Sequence, residues 1–321
     1  MNLDSKIYVA GHQGMVGSAI LRKLKLRGFN NIITKSSKEL DLTNQEDTQK
    51  FLNKEKPDFI FIAAAKVGGI YANDKYPADF IYKNLMIQNN LIYGAFLANT
   101  QRILFLGSSC IYPKDSNQPI SEEYLLSGYL EKTNEPYAIA KIAGIKLCES
   151  FNRQFNTDFR SVMPTNLYGI NDNYHPENSH VIPSLIRKFH EAKVNNNDKV
   201  EVWGSGKPKR EFLFSEDLAE ACIHIMNLNK ESFKDISSPQ ISHINIGSGQ
   251  DISIADLAEM IRKIVGFKGE IIFNQNFPDG TKRKLLDIQK LISLGWNHST
   301  SLEEGLKLTY KDYQSNYNNA T

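Results

Sequence analysis

Three features are scarce in this chain, and each scarcity excludes something. The 321 residues include only three cysteines, Cys110, Cys148 and Cys222. They are too few for an all-paired disulfide framework and too widely spaced for a zinc site, so no metal is expected. Charge of one sign is missing too: 38 Lys and Arg against 36 Asp and Glu leave a net charge of +2. Proteins that work on the nucleic-acid backbone carry a clustered basic excess, so no nucleic-acid partner is expected. Long apolar runs are also lacking. The longest, Phe59 to Ala65, falls far short of the ~20 residues that span a bilayer. The stretch ahead of the first glycine loop has no apolar targeting core. The expectation is a soluble cytoplasmic protein with no membrane association.

What is present is a globular composition, 41% hydrophobic and 23% charged, in a length that at ~150 residues per domain suggests about two domains. Short apolar runs recur through the first half: Lys6 to Ala10, Asn31 to Thr34, Asp58 to Ala65, Arg102 to Gly107 and Phe159 to Met163. They are continuous rather than alternating, as in strands buried on both faces. Helical periodicity fills the gaps, for example Met15 to Arg27, with Val16, Ile20 and Leu24 on one face and Gly28 as the stop. Connections of that length are crossovers, so the sheet is expected to be parallel. The fold class is therefore α/β, a Rossmann-type doubly wound sheet. Beyond about residue 166 the rhythm breaks into Asn-, Pro- and Gly-rich loops and short strands such as Lys199 to Trp203, with apolar runs resuming at His243 to Ile246 and Glu270 to Phe273. A smaller, less regular α+β domain on the carboxyl ends of the sheet is expected there, ending in a frayed tail from Ser315.

The first strand is followed by Gly11-His12-Gln13-Gly14-Met15-Val16-Gly17, which opens directly into a helix. Glycines at this spacing allow a tight turn, close approach of backbone to a pyrophosphate and close helix–sheet packing. The N–H groups of Met15 and Val16 then face the phosphates from the helix start. Glycine spacing alone also fits an ordinary turn; its position between first strand and first helix selects a dinucleotide site. At the end of the second strand an acid would bind a ribose 2′-OH, but the segment reads Thr34-Lys35-Ser36-Ser37-Lys38, with the nearest acid, Glu39, beyond it. Two cations and three hydroxyls suit a 2′-phosphate, so NADP(H) is the expected cofactor.

Tyr137 and Lys141 lie one helical turn apart in a strongly periodic segment. An ammonium beside a phenol lowers the phenol's pKa and tunes it to hand a proton to a developing alkoxide. A lone pair at this spacing is also an ordinary surface pair. Here it is joined by Ser108, at the carboxyl end of the fourth strand, where such sheets bind ligands.

Glycine loop, strand-end serine and YxxxK together resemble the extended short-chain dehydrogenase/reductases. Longer blocks, among them AAAKVGGIYAN (63–73), SSCIYPK (108–114), NSHVIP (178–183), VWGSGKPKREFL (202–213) and PDGTKRKLLD (278–287), are similar to the GDP-L-fucose synthase family. That resemblance implies reduction of the carbon-4 ketone of a GDP-4-keto-6-deoxy-sugar with 3,5-epimerisation. It implies that Ser108 orients the carbonyl, Tyr137 donates the proton, Lys141 holds the nicotinamide ribose, and Cys110 and His180 are the epimerising acid–base pair. Along the cofactor it adds Lys35, Asp41, Ala64, Pro164 and His180 to Gly11, Gly14, Met15, Val16, Gly17 and Lys141. For the GDP-sugar it implies Asn166, Val181, Arg187, Trp203, Arg210 and Lys284. The implied domains are 1–166, with returning segments about 211–248, for the cofactor, and 167–210 with 249–321 for the nucleotide sugar. A homodimer through the YxxxK helix and the one before it is also implied. Departures from the family pattern are Gln13 and Ser37 where relatives carry arginine, Ile170 where they often have proline, and Phe214-Ser215 in place of His-Val. The readings left beside the leading one are a dedicated 4-reductase acting on a GDP-6-deoxy-4-keto-heptose and, remotely, a non-catalytic NADP-binding scaffold.

Overall fold

Strands with apolar side chains on both faces need cover on both sides, and the chain supplies it by alternating strand and helix. A computed structural model describes residues 1–277 and 279–317. The first half runs β1 (Ile7–Ala10), α1 (Met15–Leu26), β2 (Ile32–Ile33), α2 (Gln45–Glu55), β3 (Phe59–Ile62), α3 (Ile70–Lys75), α4 (Pro77–Leu97), β4 (Arg102–Leu106), α5 (Glu135–Phe155) and β5 (Phe159–Pro164). There follow β6 (Asn166–Tyr168), α6 (Val181–Val194), β7 (Lys199–Trp203), β8 (Lys209–Phe214), α7 (Ser215–Asn227), α8 (Lys230–Asp235) and β9 (His243–Ile246). The chain continues through β10 (Asp251–Ser253), α9 (Ile254–Val265), β11 (Glu270–Asn274), β12 (Arg283–Lys284), α10 (Gln289–Ser293) and α11 (Leu302–Tyr317).

Six strands form one parallel sheet in the order β2-β1-β3-β4-β5-β9. Its two faces carry separate apolar cores. Ile7, Val9, Phe61 and Leu104 face Ile20, Leu24 and Leu218 on one side, while Tyr8, Ile60, Ile62 and Phe105 face Leu91, Ile92 and Ile145 on the other. The chain order reverses between β1 and β3, and in doubly wound sheets ligands bind at such a switch point. Cys148 and Cys222 are fully buried in these cores, as their apolar neighbours predict.

The second half builds a smaller sheet in which β8 is the hub. It pairs with β6 and β12 in parallel and with β10 antiparallel, and a parallel ribbon of β7 and β11 stands beside it. A third core, with Phe189, Leu257, Phe214 and Leu306, lies between α6, α9 and α11.

Several boundaries differ from the sequence reading. β2 keeps only two residues, because it is an edge strand held by β1 alone and its side chains are only half-buried. β3 stops at Ile62, and Ala63 to Ala65 leave the sheet as the loop that faces the glycine turn. Ser315 is no frayed end: its hydroxyl donates to Lys311 O at 3.0 Å inside α11. Residues 318–321 of the expected tail, and Pro278, lie outside the described residues. Among the described residues no helix is long and apolar enough to cross a membrane.

Candidate active site

The glycine turn between β1 and α1 is built without room for side chains. Gly11 has φ +85, and a Cβ there would lie 2.6 Å from the backbone N of Ala64; at Gly17 it would lie 2.1 Å from Gly11 O. Both positions therefore require glycine. Gly14 caps α1 in extended geometry, no side chain caps the helix, and its first turn has no acid. The uncapped N–H groups at Met15 and Val16 and the helix dipole suit a diphosphate, so the residues present fit a dinucleotide. Ala64 and Pro164 end the neighbouring β3 loop and β5 on the same sheet edge.

The 34–38 segment is arranged differently from its sequence reading. Glu39 folds back onto it: its carboxylate accepts from Ser36 N at 2.8 Å and Ser36 Oγ at 2.7 Å, with Lys35 Nζ at 3.4 Å. The Ser36 hydroxyl and N–H hold the Glu39 carboxyl down at about 2. The donors expected to meet a 2′-phosphate thus hold an anion of the chain itself. Asp41, two residues on, is occupied with Thr43, taking its N–H at 2.9 Å and hydroxyl at 2.7 Å.

The candidate reacting groups meet at the end of β4. Gly107 leaves its space to Met163, whose Cε would lie 2.1 Å from a Cβ there. Ser108 then caps a single turn of 3-10 helix, its hydroxyl accepting Cys110 N at 3.4 Å. Across from it, α5 begins with Pro136 in its first turn and presents Tyr137 and Lys141 one turn apart. Ser108 and Cys110 both lie close enough to the Tyr137 phenol to act on its ionisation. Tyr137 packs edge-on against Phe80, with ring centroids 6.2 Å apart.

The Lys141 ammonium does not lower the phenol's pKa as the sequence spacing predicts. Lys141 is 3% exposed, donates to Leu106 O at 2.8 Å and stands 4.8 Å from the centre of the Phe105 ring. Burial brings its pKa down to about 7. Desolvation likewise pushes the Tyr137 phenol above its ordinary value, with the Cys110 charge adding to it. The cause is the depth of the cleft, where desolvation outweighs a neighbour whose proton is given to a carbonyl. Tyr137 is consequently in its protonated, donating form at neutral pH.

The smaller sheet carries the next wall. Asn166 opens β6 opposite Phe212, and its amide donates to Glu211 O at 2.8 Å. Arg210 on β8 pairs in register with Lys284 on β12. Arg210 donates to Thr281 O at 2.5 Å, and Lys284 Nζ reaches Cys110 Sγ at 3.9 Å. Val181 begins α6, directly after His180. His180 is exposed, and desolvation by its surroundings holds its pKa below the ordinary imidazole value. Among the described residues it hydrogen-bonds with neither Cys110 nor Tyr137; its loop joins the cofactor side through Gly69 N to Asn178 O, 3.1 Å. Arg187 turns its guanidinium along its own helix to Glu191, at 2.9 and 3.0 Å, and leaves a buried Nε without a partner. Trp203 is 59% exposed, but Phe277 already stacks on it, with centroids 4.3 Å apart and planes 11° from parallel.

Three residues that hold this site were not singled out from sequence. Asn84, on α4, clamps the 63–69 loop by accepting from Lys66 N and donating to Lys66 O. Glu211 takes the N–H groups of Gly249 and Leu286. Phe277 backs Trp203. The contiguous VWGSGKPKREFL block contained Glu211, but nothing in its residue type separated it from a surface acid; Asn84 had no signal beyond its place on an apolar helix.

Residues 7–247 match the model of the NAD dependent epimerase/dehydratase family. The GDP-L-fucose synthase of Escherichia coli (strain K12) is 55% identical over 311 residues, 97% of each chain. Among solved structures, a GDP-6-OMe-4-keto-L-xylo-heptose reductase from C. jejuni superposes with a TM-score of 0.93 at 42% identity, covering 98% of this chain and 99% of that one. A GDP-mannoheptose C4 reductase from Campylobacter jejuni with NADP bound gives 0.90 at 43%, with the same coverage. With the glycine cradle, the Ser108–Tyr137–Lys141 arrangement and identity along nearly its whole length, the chain belongs to the NAD dependent epimerase/dehydratase family, in its GDP-L-fucose synthase branch.

Proposed function

We propose that the protein is an NADP(H)-dependent enzyme that epimerises a GDP-4-keto-6-deoxy-sugar at carbons 3 and 5 and reduces its carbon-4 ketone, giving GDP-L-fucose or a close analogue. The observation that carries this reading is the meeting of Ser108, Cys110 and Tyr137 at the end of β4, beside the dinucleotide cradle. NADPH, when bound, supplies the hydride for the ketone. Ser108 and Tyr137 donate to the carbon-4 oxygen, first stabilising an enolate and later protonating the alkoxide. Lys141, Met15, Val16 and the glycines hold the dinucleotide. Cys110 takes a proton from the carbon next to the ketone, and His180, across the cleft, returns one on the opposite face. Asn166, Val181, Arg187, Trp203, Arg210 and Lys284 line the path of the GDP-sugar, with arginine forks for the diphosphate. We assign 1–166 with about 211–248 to the cofactor part, and 167–210 with 249–321 to the sugar-nucleotide part.

The test follows NADPH consumption with GDP-4-keto-6-deoxy-D-mannose and identifies the product by NMR. Formation of GDP-L-fucose is expected, and Cys110→Ser is expected to lose epimerisation while still reducing a ketone that is already epimerised. A second reading is a dedicated 4-reductase acting on a GDP-4-keto-heptose. The two heptose-reductase likenesses favour it. Turnover of the heptose ketone with none of the unepimerised hexose would select it.

The same reading includes a homodimer. α4 and α5 leave Tyr93, Leu97, Ile139 and Phe155 more than 40% exposed, around a cluster in which Phe96 and Phe155 lie 4.6 Å apart. An exposed aromatic face of this kind is a self-association surface. Light scattering of the purified protein is expected to give twice the chain mass, and Phe155→Asp to shift it toward the monomer.

A further inference from the structure

We propose that Lys284 is the positioning residue that holds Cys110 as a reactive thiolate, in addition to any contact it makes with the GDP-sugar. The proposal deepens the epimerase reading above and rests on it for its purpose. The thiol sits in the middle of a 3-10 turn, half-exposed in the cleft, and Lys284 Nζ stands 3.9 Å from its sulfur.

Lys284 is not a flexible surface lysine that happens to point inward. β12 is two residues long, so its placement depends on what pins it, and it is pinned from three sides. Its backbone pairs with β8, with Lys284 opposite Arg210. Two residues on, Leu286 N donates into the buried Glu211 carboxylate at 3.0 Å. From the Cys110 side, Gln118 Oε1 accepts Leu285 N at 2.8 Å, Ile120 N donates to Leu285 O at 2.8 Å and Asp287 N to Ile120 O at 2.9 Å. The segment that follows Cys110 and the segment that follows Lys284 are thus laced together, which fixes the ammonium relative to the sulfur.

The other charged groups leave this role to Lys284. Its neighbour Arg283 is paired with Asp251 on β10, and Arg210 is engaged by Thr281 O. On the α5 side Cys110 faces the phenol of Tyr137, with Lys141 beyond it bound to Leu106 O. Glu211 lies behind β12, its carboxylate taken by N–H groups. A fixed ammonium beside a sulfur favours the thiolate, which is the nucleophilic and basic form of cysteine. In epimerisation the C–H bond next to the ketone breaks, the S–H bond forms, and the electron pair moves into the enolate oxygen. The enolate then takes a proton from His180 on the opposite face, and solvent exchange resets both groups.

The test is alkylation of the full-length protein by iodoacetamide, without substrate or cofactor, followed by mass spectrometry. Cys148 and Cys222 are fully buried, so labelling reports Cys110. Lys284→Gln is expected to slow labelling at neutral pH about tenfold and to match the wild type in strong alkali, while Lys284→Arg stays within about threefold of wild type. Arg283→Gln, beside it but turned to Asp251, is expected to leave the rate unchanged. Equal neutral-pH rates for wild type and Lys284→Gln overturn the proposal. Should Lys284→Gln not fold, the wild type decides alone: Cys110 labelling at neutral pH must fall severalfold between low and high salt, and salt-independent labelling overturns the proposal. Because no substrate enters, the result is separate from the fate of the epimerase reading. Incorporation of solvent deuterium at carbons 3 and 5 tests that reading independently.

Discussion

At the scale of single residues, Glu39 and Lys141 carry expectations that a motif search would not raise. Glu39 occupies Ser36 and Lys35, the donors that suit a 2′-phosphate. Cofactor binding must therefore displace or repel a carboxylate, and Glu39→Ala is expected to lower the KM for NADPH about threefold, with a smaller effect on NADH, since exposed charge pairs are weak. Steady-state kinetics with both cofactors checks this. Lys141 is held near 7 by burial, against ~10.4 in an unfolded chain. Between those values the unfolded state binds the extra proton, so stability rises with pH across that window and is level below it. Urea unfolding is expected to show a gain of about 2 kcal/mol from pH 7 to 9 that Lys141→Met lacks. Tyr137, Lys141 and Ser108 were legible in sequence because spacing on a helix and position at a strand end are local properties. The ionisation of Tyr137 was not, because it depends on how deep Phe80, Phe105 and the β4 carbonyls bury the pair. Glu39 escaped for a related reason: it lies beyond the basic segment in sequence and returns to it only through a turn.

At the scale of elements, the long strands and helices of the first half matched their apolar periodicity, since β1, β3, β4 and β5 bury both faces and advertise it. The short elements did not announce themselves. β12 is held by its pairing with β8, and the residues that follow it by the buried Glu211 carboxylate, the Gln118 side chain and backbone bonds to Ile120, and nothing local in Arg283-Lys284 signals a strand. Glu211 is fully buried and meets two backbone N–H groups with no cation opposite among the described residues, while burial pushes its carboxyl above the usual carboxylate range. Glu211→Gln turns one acceptor into a donor against an N–H and is expected to destabilise the protein by about 1–3 kcal/mol, read from the urea midpoint. Labelling of Cys110 is expected to slow with it, because β12 would no longer fix Lys284.

At the scale of the whole molecule, the cofactor cradle and the smaller sheet are joined by a strap that neither half predicts alone. Asn171, at φ +66 in the loop after β6, donates its side-chain amide to Gln13 O in the glycine turn at 2.7 Å. Its own N–H donates to Asp312 on α11 at 2.9 Å. It is the backbone carbonyl of Gln13, not its side chain, that the strap uses. Next to it, Asp172 buries a carboxylate oxygen with no partner, and burial, with Asp312 as a like-charged neighbour, raises its carboxyl to about 7. The neutral form suits the buried position and the anion does not, so the strap is expected to loosen as pH climbs through 7. NADPH binding, measured by fluorescence titration, is therefore expected to weaken severalfold between pH 6 and 8. Asp172→Asn keeps the residue neutral and is expected to flatten that dependence. Asn171→Gly retains the left-handed backbone and removes only the amide, so a three- to tenfold loss of NADPH affinity at every pH is expected from one lost hydrogen bond. A pH dependence that survives Asp172→Asn would place the titrating group at Lys141 instead, which gains a proton as pH falls through the same range.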